Sequence, residues 1–479
     1  MLDTALCRLH EENQLVTNPI EFAGEARSNA VRLIVAQFEP VALRTFTPSQ
    51  AVLAKSAGVF HWTPEGRTLY DFSSGVLVAN LGHNPKRWMQ QFGKYMGWTA
   101  ETFGGKPAVA DDYVPAIAMT AYNGITEVET NAVQRLLANL RRSKGSERLN
   151  TIVWAASGSE AIQKALWAGL AWDRSRDLIL ATRFGFHGKK GLANAVTGSE
   201  KDPERDPRVK FISFPMEEIL DAGFDPQAVD LARYRQELES LWIEYGPQIG
   251  CLITEPYLGG GGSFHPPAAY HQMLQQFCRE HDILFIFDEV QANFGRTGYM
   301  YAFEAYGVEP DMVVLGKGLG NGVPVAAVAS RNDLFSRMKY GEASDTWSAN
   351  PLSCAAVLAT LDEFESTGIL AHTRSLTPIF LKGLERLKST GLINHVRGEG
   401  LVFGFECAPF GNLAPNEVAA KIVEACYLGL DNVGIHLLGA LAGKVIRVSP
   451  PLTITVAEAK HSLDLLYAIV ASLPEKIRR

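Results

Sequence analysis

The centre of the chain alternates short apolar runs with amphipathic stretches, and that alternation leaves few folds open to it. NTIVWAA, DLILAT, GCLITEP, ILFIFDE and DMVVLG read as strands too apolar to carry a wet face. Between them, SEAIQKALWAGLAW and YHQMLQQFCREH repeat apolar residues at i, i+3 and i+4, the spacing of a helix with one buried side. Strands buried on both faces and linked by helices specify an α/β fold with a parallel sheet covered by helices on each side. In such a sheet ligands lie beyond the carboxyl ends of the strands, where ASGSEA, EPYLGGGG, DEVQANFG and GKGLGNG begin. Those four loops are expected to meet in one crevice.

Composition narrows the partners. With 479 residues, 47% of them hydrophobic, the chain can build one large core and a smaller one. A net charge of −7, with acids and bases interspersed, leaves no basic stripe to neutralise phosphates, so no nucleic acid is expected. No apolar run is long enough to cross a bilayer, and MLDTALCRLHEENQ lacks the features of a secretory signal, so no membrane is expected and the location expected is cytoplasmic. Cys7, Cys251, Cys278, Cys354, Cys407 and Cys426 show neither CxxC nor CxxH spacing, which indicates neither a cysteine zinc site nor a disulfide scaffold. No metal is expected at the site.

The flanks suggest a division into residues 1–90, an amino-terminal segment packing with a small domain; 91–350, a large ligand-binding domain; and 351–479, the small carboxyl-terminal domain. GVFHWTPEGRTLYDF reads as a hairpin, residues 101–123 as a loop, about 351–365 as a long helix, and VIRVSPPLTIT as a strand leading to the final helix.

Two charged groups stand at the ends of apolar strands, Asp288 in IFDEV and Lys317 after DMVVL. A carboxylate buried at a strand end needs a cationic partner, or burial neutralises it. Either a nearby arginine such as Arg296 or a protonated ring nitrogen on a cofactor meets that need. SGSEA, opening a helix after a strand, offers backbone N–H groups and a hydroxyl to a phosphate, although a serine there also serves as a plain cap. There is no GxxxxGK[ST] loop and no GxGxxG. A phosphate, a ring cation and a lysine set among glycines point to pyridoxal phosphate.

The run FIFDEVQANFGRTGYMYAFEAYGVEPDMVVLGKGLGNGVPVAAV, followed by DTWSANPLSCAAVLATL, resembles the class III pyridoxal-phosphate-dependent aminotransferases, a family that includes the ornithine, acetylornithine, lysine and 4-aminobutyrate aminotransferases. The similarity extends from about Gly58 to the carboxyl terminus. It implies the fold-type-I architecture, with a mostly parallel seven-stranded sheet in the large domain and a smaller α/β domain. It also implies that Lys317 attaches covalently to the cofactor and then serves as the base, and that Asp288 keeps the pyridine nitrogen protonated. By the same resemblance Phe186 stacks on the ring, Gly158 and Ser159 form the phosphate cup, Gln291 lies near the phenolic oxygen, and Thr346 reaches the phosphate across a homodimer or dimer of dimers with shared sites. Arg447 matches the arginine that clamps the substrate carboxylate, and Glu255 is read as structural.

The chain departs from the family in places. Gly260 stands where several members carry a glutamate that covers the clamp arginine; Leu258 replaces a frequent glutamine, and Lys189 an arginine, a point charge in place of a fork. An uncovered Arg447 favours an α-carboxylate in both half-reactions. EPYLGGGG and IRVSPPLTIT also resemble dialkylglycine decarboxylase, but Val76 stands at its carboxylate-holding glutamine. The activity expected is transfer of an amino group from an amino acid to a 2-oxo acid by ping-pong chemistry. The alternatives are an epimerase or decarboxylating transaminase on the same cofactor, or a silent scaffold, to which Lys317, Asp288 and Arg447 together would be superfluous.

Overall fold

The computed structural model describes residues 19–43, 45–105, 113–202 and 206–478. Cys7, residues 1–18 of the expected amino-terminal segment and 106–112 of the expected loop lie outside them.

After a helix at Ala26–Phe38 come three short strands: β1 (Lys55–Ala57), β2 (Phe60–Trp62) and β3 (Thr68–Asp71). The central sheet is built from β4 (Thr151–Ala155), β5 (Leu178–Thr182), β6 (Val209–Ile212), β7 (Ile249–Thr254), β8 (Leu284–Asp288), β9 (Met312–Leu315) and β10 (Ala326–Ser330). Beyond it lie β11 (Ile393–Glu399), β12 (Val402–Cys407), β13 (Val433–His436) and β14 (Val445–Val448).

The central sheet has seven strands in the order β4-β10-β9-β8-β7-β5-β6. Six run parallel, and β10 alone is antiparallel to both of its neighbours. The short Gly316–Val325 connection explains that exception, since a parallel return needs a crossover of a dozen residues or so. Alternate residues of each strand enter different apolar clusters: Phe285 and Phe287 face one, Leu284 and Ile286 the other. This double burial accounts for the apolar interiors of the strands.

The helix Gly158–Trp172 covers the second face with small residues, Ala161, Ala165 and Ala168 among them. Ser157 caps it by accepting from the Glu160 N–H, so the serine doing plain capping work is Ser157, not Ser159. The long helix is found at Pro351–Ser366 and the last long one at Val456–Ala471. Within the loop expected at 101–123, Ala100–Gly104 forms one helical turn. β3 pairs with β13 across more than 350 residues of chain, and β11-β12-β14 form a separate sheet, of which β14 carries Arg447 toward the central one.

Candidate active site

Because β4, β5, β7, β8 and β9 share one direction, their carboxyl ends release their loops along one edge. A cleft with about 550 Å3 of open space lies there, lined by Gly158, Ser159, Phe186, Asp288, Gln291 and Lys317 among others. Six of the residues expected at the cofactor are thus brought together. Thr346 is exposed on the loop before Pro351–Ser366, Val76 is 41% exposed, and Lys189 is exposed; these three lie outside the lining. Arg447 also lies outside it but touches Gln291.

Backbone crowding explains the glycines. A Cβ on Gly158 would come within 3.0 Å of Val290, one on Gly188 within 2.3 Å of Ser159 Oγ, and one on Gly260 within 3.0 Å of Phe186. Lys317 itself adopts the left-handed φ of +46° at the first residue of a helical turn, directly after β9.

Among the described residues the side chain that meets Asp288 is His187, not Arg296. His187, fully buried, donates from Nδ1 to Asp288 Oδ2 at 2.7 Å, and the Val290 N–H donates to Oδ1 at 3.0 Å. Burial opposes charge on His187, but Asp288 overrides it and raises the imidazole above its ordinary value. His187 Nε2 has no hydrogen-bond partner among the described residues. Arg296 does not reach Asp288. It donates instead to the carbonyls of Leu401 and Pro450 and to Asn80 Oδ1, because the loop after β8 turns it away from the cleft.

Glu255 ties two loops together, accepting from the Phe186 N–H at 2.8 Å and the Gly259 N–H at 3.3 Å. Burial raises its carboxyl to about 7, His187 opposing and Asp288 adding. It lines the cleft as well, so the structural reading covers only part of its position. Burial lowers the Lys317 ammonium to about 8; Asp288 and Glu255 oppose that shift and Arg447 adds to it. An amine at that value is in part a free base near neutrality.

Sequence reasoning missed His187 and Val290. His187 follows Phe186 in FGFHGKKG, but a lone histidine beside glycine carries no sign of a carboxylate 101 positions away.

Pyridoxal phosphate fits this lining. Phe186 and Val290 line the cleft together with the buried Asp288 carboxylate and the Lys317 amine, and the helix starting at Gly158 has free N–H groups that would meet a phosphate. The cradle at Gly158 and Gly188 is one that a Cβ would fill.

The pattern of the family described as aminotransferase class-III matches residues 97–470. The acetylornithine aminotransferase of Agrobacterium fabrum is 29% identical over 442 residues, covering 90% of this chain and 96% of that enzyme. The omega-aminotransferase of Caulobacter vibrioides is 30% identical over 438 residues, covering 85% and 91%. Among solved structures, an amine transaminase from an uncultivated Pseudomonas species, in its pyridoxal-phosphate-bound form, superposes with a TM-score of 0.75 at 25% identity over 91% of this chain and 97% of that one. A lysine and a histidine-backed aspartate at adjoining strand ends, within a pattern matched over most of the length, place the chain in the class-III aminotransferases, as a pyridoxal-phosphate-dependent enzyme of amino-group transfer.

Proposed function

We propose that the enzyme takes its amino group from a small amino acid or amine and passes it to a 2-oxo acid, with Lys317, Asp288 and Arg447 as its chemical core. The observation that carries this reading is the convergence of Lys317, the Asp288–His187 pair and the Gln291–Arg447 pair on one edge of the sheet.

Pyridoxal phosphate, when bound, supplies an electron-withdrawing ring that accepts the electron pair left when a substrate C–H bond breaks. Asp288, steadied by His187 and the Val290 N–H, holds a proton at the ring nitrogen. Lys317, whose amine titrates near 8, removes the proton from the substrate carbon. Phe186 would cover one face of the ring, while Gly158 and Ser159 would take the phosphate. Gln291, which accepts from Arg447, would also stand near the phenolic oxygen, and the planar fork of Arg447 suits a carboxylate. Val76, held at a left-handed φ of +65°, and the exposed Lys189 form the outer substrate wall.

Thr346 reaches a phosphate only in a partner subunit on this reading, which its exposed position supports; the enzyme is then a dimer or a dimer of dimers. We assign it to the cytoplasm. No helix among the described residues is long and apolar enough to cross a membrane. The separate seven- and three-stranded sheets support a large domain at 91–350 and a small one at 351–479, and the pairing of β3 with β13 supports joining the described part of 1–90 to the latter.

The test is the visible spectrum of the holoenzyme as single donors are added without oxo acid. Conversion of the bound cofactor to its amine form identifies a donor and supports transfer. A cofactor that survives every donor unchanged, while one loses stereochemical purity or releases carbon dioxide, overturns it.

A further inference from the structure

Away from the cleft, three histidines surround one carboxylate. Asp71, at the end of β3, is fully buried; His61 comes from β2, His436 from the end of β13 in register with Asp71, and His83 from the loop bridged to Gly58. The reaction uses none of them.

The arrangement has the parts of a metal centre. His61 Nε2 lies 3.5 Å from Asp71 Oδ2. That separation is close to the edge of about 3.3 Å between two ligands of a tetrahedral ion bound at roughly 2.0 Å. Ligand atoms of His61, Asp71 and His436 all fall within 4.8 Å of one another. The other nitrogen of His61 is hydrogen-bonded to Ser56 Oγ at 2.6 Å, the outer support that orients a metal-bound imidazole. His83 Nε2 donates to Asp71 Oδ2 at 2.7 Å, too close to be a second ligand edge but suited to steadying a ligating carboxylate. His436 Nδ1 is buried with no hydrogen-bond partner among the described residues, a vacancy in satisfaction that a bound ion removes.

We propose that His61, Asp71 and His436 bind one divalent transition ion, zinc by the chemistry of two imidazoles and a carboxylate, with the fourth position left to water. The ion joins the β2–β3 hairpin to β13, which lies more than 350 residues further along the chain. It also stands behind the substrate wall: the other oxygen of Asp71 accepts from the Ser73 N–H and Oγ at 2.7 Å and the Ser74 N–H at 3.0 Å, where the left-handed turn through Val76 begins. No motif announced it, because the ligands are spaced at ten and at several hundred residues.

The test uses the untagged full-length holoenzyme, stripped with a chelator, loaded with zinc or cobalt(II) and passed through a desalting column. The expected result is one ion per chain by mass spectrometric metal analysis, visible ligand-field absorption with cobalt, and a zinc-dependent rise in melting temperature. His61→Ala and His436→Asn each lose the ion while keeping the cofactor spectrum, and Ser56→Ala weakens binding about 10–100-fold. Glu280→Gln, in the surface group Glu239, Glu280 and His281, leaves it unchanged. A wild-type protein that emerges without metal overturns the proposal, and so does retention of the ion in both histidine variants or its loss in Glu280→Gln.

Discussion

Arg447 Nη1 donates to Gln291 Oε1 at 2.9 Å, so the arginine proposed to clamp a carboxylate is covered by a neutral amide. The glutamate that several family members place near this arginine is Gly260 here, and a side chain at Gly260 would strike Phe186. A neutral cover changes the energetics of entry. A carboxylate substrate displaces one hydrogen bond rather than an ion pair, and an amine lacking a carboxylate leaves Arg447 partnered rather than bare.

Replacing Arg447 by Lys therefore separates substrates by charge. The fork is lost, and with it a charge-assisted bond of about 1.5–3 kcal/mol, so the KM for carboxylate donors and oxo acids rises by about 10–100-fold. Amines without a carboxylate keep their kinetics. Steady-state measurements on both classes check this, and an equal loss for both assigns Arg447 to the fold.

His187 is predicted to matter through Asp288. Its Nδ1–H is the only side-chain donor to Asp288 among the described residues, and His187→Phe removes it while keeping a planar ring. Loss of a hydrogen bond to a charged group, about 1.5–3 kcal/mol, lowers kcat by roughly 10–100-fold. Cofactor affinity changes less, because phosphate and covalent contacts are untouched. Stopped-flow rates of the first half-reaction, together with a cofactor binding titration, distinguish this from general collapse of the site.

The strands flanking the cleft were legible because each is buried on both faces and so is apolar through its interior; β7, β8 and β9 begin and end within a residue or two of the runs read for them. β6 and β10 were not, since VKFI is short and lies at the sheet's edge, while AAVAS is made of residues equally at home in a helix. Lys317 and Asp288 stood out as charges at apolar strand ends. The pairing of Asp288 was not readable: Arg296 is nearer in sequence than His187, yet loop geometry, which no periodicity encodes, sends Arg296 into the carbonyls of the carboxyl-terminal part. The same limit applies to Gln291, whose contact with Arg447 spans 156 positions.

Lys317 gives a pH prediction of definite sign. Burial lowers its ammonium to about 8, and only the free amine attacks an aldehyde. Uptake of pyridoxal phosphate by the stripped enzyme, fixed with borohydride at early times, should rise as pH increases through about 8 and level off above it. Lys317→Ala abolishes the fixed adduct at every pH and, by removing the base, lowers turnover by about 10²–10⁴-fold. An uptake rate that levels off only near 10 would show an ordinary, solvated lysine.

Arg296 provides the last prediction. It is 0% exposed and has no carboxylate within salt-bridge distance among the described residues; its guanidinium donates to the carbonyls of Leu401 and Pro450 and to Asn80 Oδ1 and Ser74 Oγ. Burial without a counter-ion lowers it to about 10, Tyr257 and Asp71 opposing. The charge is tolerated because four acceptors share it, three segments of chain being tied by one side chain. Arg296→Leu fills the volume but strands those acceptors at about 1–3 kcal/mol each, a total of at least about 3 kcal/mol after relaxation. Thermal melting of the stripped protein should fall clearly, while kcat of the molecules that remain folded changes little, since Arg296 touches neither Asp288 nor the cleft lining. A melting temperature unchanged by the substitution would mean that water replaces the guanidinium at those carbonyls.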